Sequence, residues 1–125
     1  KTLLLMEGVL QYIKPEAVHK TLAALKKLTA PGSRLICDFA NSSLFNENET
    51  SYGKSALQQS LQRYGETFQF GLSDDKVEPF FTGYGFNVIE QVTPADLEAM
   101  YFKDRAGRLH ARVNGTQTII TAERI

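Results

Sequence analysis

Thr2-Leu-Leu-Leu-Met6 is followed by Lys14-Pro-Glu-Ala-Val-His-Lys-Thr-Leu-Ala-Ala-Leu-Lys-Lys-Leu28 and then by Arg34-Leu-Ile-Cys-Asp-Phe39. The first run is continuously apolar and is closed by Glu7-Gly8, which fits a strand buried on both faces, as in a parallel sheet covered by helices. In the second, Pro15 and Glu16 stand where a first helical turn favours a proline and an acid. Val18, Leu22, Leu25 and Leu28 then recur at spacings of four, three and three, which builds one apolar helix face. Lys26 and Lys27 sit near the negative end of the helix dipole, and Pro31-Gly32 stops the helix. The third run is a second short apolar strand. Strand, helix and strand in about forty residues make a βαβ unit with a right-handed crossover.

Outward from that unit, residues 41–53 are polar, acidic and without periodicity. A connection this long is functional or disordered, and it leaves the carboxyl end of the second strand, where open α/β sheets bind ligands. Leu57, Leu61 and Tyr64 mark a short helix, and Val77, Phe80, Phe81 and Tyr84 mark another that ends at Gly85. Phe86 to Val92 is a third strand. Thr93-Pro94-Ala95-Asp96 has the order of an N-cap, a first-turn proline and a third-position acid. Leu97, Met100 and Tyr101 are the expected apolar face of the helix that follows. Asn114-Gly115 is a hairpin signal between Leu109–Val113 and Thr116–Ala122.

Composition narrows the function. The 125 residues suit one domain. Lys plus Arg number 14, and so do Asp plus Glu, so the chain lacks the basic excess of a nucleic-acid binder. No apolar run approaches the ~20 residues of a membrane helix. No basic leader precedes the first strand, and Cys37 is the single cysteine, so a cytoplasmic setting with Cys37 as a core residue is expected. In that setting the Asn-x-Ser/Thr triplets at Asn41, Asn48 and Asn114 are chance matches. The chain starts inside an apolar strand with no polar lead-in, so it reads as the later part of something longer.

General chemical motifs give little. Gly53-Lys54-Ser55 lacks the glycine of a phosphate-binding loop, because Asn48 stands in its place. Gly83-x-Gly85 has Val88 where a third glycine belongs. His19 and His110 show no metal or triad spacing, so no metal site is expected and both read as surface residues. Asp74-Asp75 fits a helix start, and Asp38 at the end of the second strand reads first as structural.

Met6-Glu7-Gly8-Val9-Leu10-Gln11-Tyr12-Ile13-Lys14-Pro15-Glu16 is more informative. It resembles the Glu-Gly-(Leu/Val)-Leu-x-Tyr-Leu-x-Pro-Glu signature of the leucine carboxyl methyltransferase family, class I enzymes that use S-adenosylmethionine and include a bacterial polyketide-type branch. Pro31–Asp38 resembles the family's fifth strand with its lead-in, Arg63–Gly71 its Gly-Glu-Pro-Phe-x-Phe-Gly segment, and Val77–Val88 its helix with Gly-Phe/Trp-x-Val. Thr67 departs from the pattern, where relatives carry proline.

The resemblance covers residues 1–125 but only the carboxyl-terminal part of a methyltransferase domain, without the glycine-rich cofactor motif. It implies an α/β fold, the second half of a Rossmann-like sheet of order 3-2-1-4-5-7-6. Strands four to seven would be Thr2–Met6, Arg34–Phe39, Phe86–Val92 and Thr116–Glu123, the last antiparallel, with helices on both faces. A strand seven with two neighbours conflicts with the hairpin at Asn114-Gly115, and the fold is the stronger expectation.

The resemblance further implies S-adenosylmethionine as cofactor, with Glu7 and Gly8 contacting it, and a small-molecule acceptor methylated on a carboxylate or hydroxyl. Tyr12, Phe68 and Phe70 are the candidate acceptor-binding residues; no general base for a hydroxyl acceptor can be named. The competing expectation is a non-enzymatic remnant or excised domain with a structural role. In either case the free edge of the first strand invites pairing between two copies.

Overall fold

A computed structural model describes all residues, Lys1–Ile125. The elements are β1 (Leu3–Met6), α1 (Pro15–Leu28), β2 (Arg34–Asn41), α2 (Lys54–Tyr64), β3 (Gly71–Leu72), α3 (Asp74–Gly83), β4 (Phe86–Val92), α4 (Pro94–Tyr101) and β5 (Gln117–Arg124). Single 3-10 turns occur at Leu10–Tyr12 and Ser42–Phe45. The sheet runs β1-β2-β5-β4, with β3 joined to the end of β2. β1 and β2 are parallel, and β5 is antiparallel to β2 and β4. This is the 4-5-7-6 order expected from the resemblance.

The register puts Leu4 and Met6 beside Leu35 and Cys37, and these beside Ala122 and Ile120, on one face. Val18 and Leu22 of α1 and Val77 and Phe81 of α3 close over that face, together with Phe39 and Phe86. On the opposite face helical cover is confined to the end of β2, where Leu57 and Leu61 of α2 pack on Ala40 and Leu44, and the expected cover is not met over β1. On the other face Leu3 and Leu5 are 66% and 69% exposed. The physical reason is handedness: β1-α1-β2 and β2-α3-β4 both advance in the same direction across the sheet. Two right-handed crossovers of that kind land on the same side. β1 also keeps its outer edge unpaired, since β2 is its only neighbour.

Local signals translate directly. Pro15 occupies the first turn of α1, with Glu16 beside it and Lys26 and Lys27 in the last turn. Gly32 takes φ 78 and its N–H donates to the Arg124 carbonyl at 2.7 Å, which ties the helix exit to β5. Thr93 and Asp96 form the reciprocal capping box of α4.

Two expectations are corrected. Leu109–Val113 does not form a hairpin with the last strand: Leu109 makes one bridge to Lys103, and β5 is already paired on both sides. The Asn114-Gly115 turn exists, but Asn114 Oδ1 spends itself accepting from the Thr116 N–H and hydroxyl at 2.9 and 2.6 Å. The apolar face of α4 is not buried either, with Met100 54% and Tyr101 68% exposed. No helix is long and apolar enough to cross a membrane.

Candidate functional site

β1 ends at Met6 while β2 runs on to Asn41, and the end of β1 against the middle of β2 brings chemistry together. One residue beyond the last register pair, Met6 with Cys37, Glu7 stands next to Asp38. Both line a groove of about 290 Å³ on the uncovered face, whose apolar floor includes Leu5, Ile36 and Ile119 and whose rim includes Gln117. The chain turns at Gly8 with φ 66, a left-handed conformation that strains any residue with a Cβ. A Cβ there would meet nothing within 4 Å, so the glycine is needed for its backbone and not for space. The Gly8 N–H donates to Asp38 Oδ1 at 2.7 Å. Glu7 thus lines the groove, and Gly8 turns the chain beside it.

Downstream of the turn, Leu10 anchors the segment in the core, fully buried. The Gln11 carbonyl accepts from the Gln69 N–H at 2.7 Å, and Gln69 Nε2 donates to the Tyr12 carbonyl at 3.0 Å. Tyr12 donates its hydroxyl proton to Glu66 Oε2 at 2.8 Å and meets the Phe68 ring edge-on, with centroids 4.9 Å apart. Two stretches singled out in the sequence, Met6–Glu16 and Arg63–Gly71, thus lie against each other. The hydrogen bond to the Glu66 carboxylate is the main cause that raises the Tyr12 pKa above its ordinary value, followed by desolvation and the charges of Glu66 and Asp38. Tyr12 is a proton donor here, held neutral.

The candidate acceptor-binding residues differ in exposure. Tyr12 is partly solvent-facing, 38% exposed. Phe68 is buried with Ala40 and Leu44, and Phe70 is buried in the main core against Phe80, ring centroids 5.5 Å apart. Phe70 packs within the core, whereas Phe68 sets its ring against Tyr12 and lines a groove with Glu66 and Thr67, and together they anchor the 66–70 segment beneath Tyr12. Cys37, beside Asp38, is 1% exposed, and burial with the neighbouring carboxylate pushes its thiol up to about 12. It is an inert core thiol.

Residues 41–53 border the same end of the sheet as a hydrogen-bonded strap. The Asn41 N–H donates to the Thr116 carbonyl and the Gly115 N–H to the Tyr52 carbonyl, at 2.7 and 2.8 Å. Lys54 folds back under the strap, 7% exposed, and donates to the carbonyls of Ser43, Asn46 and Glu49 at 2.7, 2.5 and 2.7 Å. Sequence reading missed this lysine and also Glu66. The first drew notice only as part of a failed phosphate-loop pattern, and the second only as the acid of the Arg63–Gly71 stretch, with no role assigned to it.

No family model matches the chain. A Bacillus subtilis protein named "Putative S-adenosyl-L-methionine-dependent methyltransferase YktD" is 24% identical over 111 residues, covering 89% of this chain and 36% of the relative. The crystal structure of a Nostoc punctiforme protein named "putative O-methyltransferase" superposes with TM-score 0.51 and 16% identity, covering 98% of this chain and 31% of that one. The N-methyltransferase NodS from Bradyrhizobium japonicum, solved with S-adenosyl-L-homocysteine, gives TM-score 0.49 and 14% identity over 98% of this chain and 45% of its own. The fold is shared with the Nostoc structure, and the chain spans about a third of the length of the Bacillus relative.

Proposed function

We propose that this chain is the carboxyl-terminal part of an S-adenosylmethionine-dependent methyltransferase domain that methylates a carboxylate or hydroxyl of a small molecule. The observation that carries the reading is that Glu7 and Asp38 line one groove just past the end of β1, with the Gly8 N–H bonded to Asp38. The Bacillus relative supports it through the activity in its name and its match to 89% of this chain.

The residues present suit one side of such a cofactor. Its ammonium and sulfonium are cationic, and the Glu7 carboxylate can accept a charge-assisted hydrogen bond. The apolar floor of Leu5, Ile36 and Ile119 would exclude water from the reacting groups. When bound, the cofactor supplies a methyl carbon already activated by the sulfonium. The chain's own task is then alignment. A carboxylate acceptor is ionised at neutral pH and needs no base. For a hydroxyl acceptor, Glu66 is the acid nearest Tyr12, at 2.8 Å from its hydroxyl, and the pair would orient the acceptor. The free edge of β1 and the exposed Leu3 and Leu5 support further sheet of the same polypeptide beside β1. Pairing of two copies is the other way to cover that edge.

The test uses the polypeptide as its source cells make it, with its intact mass determined first. Calorimetric titration with S-adenosylhomocysteine should give one site per chain, weakened about tenfold or more by Glu7→Gln, as expected for loss of a charge-assisted bond. No binding by the unaltered protein would remove the methyltransferase reading and leave a structural remnant.

A further inference from the structure

The turn that presents Glu7 has little to hold it. Glu7 and Gly8 are exposed, and Gly8 has no heavy atom within 4 Å of where a Cβ would stand. The backbone on either side is anchored, by the β1–β2 ladder up to Met6 and by the buried Leu10 beyond. Between those anchors the tertiary hydrogen bond to the turn is from the Gly8 N–H to Asp38 Oδ1 at 2.7 Å, across 30 residues of chain. Asp38 forms no ion pair. Its carboxylate is thus oriented toward the turn and shares the groove with Glu7.

Two neighbouring carboxylates repel, and a sheet that needed only a filled position within β2 would place a small or apolar residue at 38. Asp38 instead supplies a fixed acceptor to a backbone N–H whose residue sits at positive φ. A carboxylate-to-amide bond of this kind is charge-assisted and shorter than a neutral one. We propose that Asp38 is a positioning residue for the cofactor site: by holding the Gly8 N–H it sets the direction in which Glu7 is offered to the ligand. This rests on the methyltransferase reading above. It predicts that Asp38 acts through Gly8 and Glu7 and does not touch the ligand itself.

The experiment is titration of the full chain with S-adenosylhomocysteine, for the unaltered protein, Asp38→Ala, Asp38→Asn, Glu7→Gln and the double variant D38A/E7Q. Asp38→Ala should weaken binding about tenfold, the size of one lost charge-assisted bond. Asp38→Asn keeps an oxygen acceptor for the Gly8 N–H and should stay within about threefold of the unaltered protein, since neutral hydrogen bonds retain about half the strength. In the Glu7→Gln background the Asp38→Ala effect should shrink, because the two changes would act on one contact. A general loss of stability would instead lower the melting temperature while leaving the effects of the two changes additive.

Three results would overturn the assignment: Asp38→Ala binding like the unaltered protein, Asp38→Asn as weak as Asp38→Ala, or full additivity with Glu7→Gln. Asp38→Ser probes the same bond if Asp38→Ala does not fold. Failure of the unaltered protein to bind is a separate outcome, and it removes the underlying reading itself.

Discussion

Lys54→Met tests how the strap 41–53 is held. Lys54 is 7% exposed, and its ammonium gives all three of its protons to carbonyls, those of Ser43, Asn46 and Glu49. It has no carboxylate partner within ion-pair distance. Each charge-assisted bond contributes about 1.5–3 kcal/mol, so three sum to roughly 5–9 kcal/mol. Against this stands the desolvation of a buried ammonium, several kcal/mol. Methionine keeps the apolar stem and leaves three carbonyls without a donor, although a surface strap can turn some of them to water. The net loss is about 2–4 kcal/mol, and it falls on local opening of the strap before global unfolding. Cleavage by a glutamate-specific protease at Glu47 and Glu49 reads that opening. A loss of 2 kcal/mol corresponds to cleavage about 30-fold faster when opening is in rapid equilibrium. A rate within about threefold of the unaltered protein would refute the reasoning, because desolvation would then already cancel the three bonds.

Two further predictions follow from burial. Phe70→Ala removes a ring packed against Phe80 in the main core and should cost about 3–5 kcal/mol in denaturant unfolding; a loss under 1 kcal/mol would return Phe70 to the list of site residues. The Cys37 thiol, pushed up to about 12, should resist a disulfide reagent at about pH 8 in the native state, with a thiolate fraction of roughly one in ten thousand, and react fully once unfolded. A raised pKa adds stability that is fully present below the unfolded value of ~8.5 and is lost as pH rises through the folded one. The unfolding midpoint should therefore fall across that alkaline window, and less so in Cys37→Ala.

What the sequence determined by itself was whatever depends on near neighbours in the chain. The stripe Val18, Leu22, Leu25, the proline in the first turn of α1 and the Thr93–Asp96 capping box are each set within a turn or two of backbone. They translated into structure except at Leu28, the last residue of the expected stripe, which is 79% exposed at the end of α1. β4 matched its expected bounds, Phe86–Val92, because alternation and a preceding glycine are also local. The resemblance supplied the long-range part, the 4-5-7-6 order, which no period in these residues encodes.

Tertiary structure decided everything that pairs residues far apart. Lys54 opens α2, where the helix dipole disfavours a cation, and only the carbonyls of a strap folded back over it make that position favourable. Glu66 reaches Tyr12 across 54 residues, and Asp38 reaches Gly8 across 30. Nothing in the composition of either stretch signals the meeting. Phe68 and Phe70 are candidate acceptor-binding residues by resemblance, and their burial followed only from the tertiary structure, in which α3 brought Phe80 against Phe70 and Leu44 closed on Phe68. The hairpin signal at Asn114-Gly115 lost for the same reason. A turn specifies only its own few residues, whereas β5 gained a full ladder on each side by entering the sheet between β2 and β4.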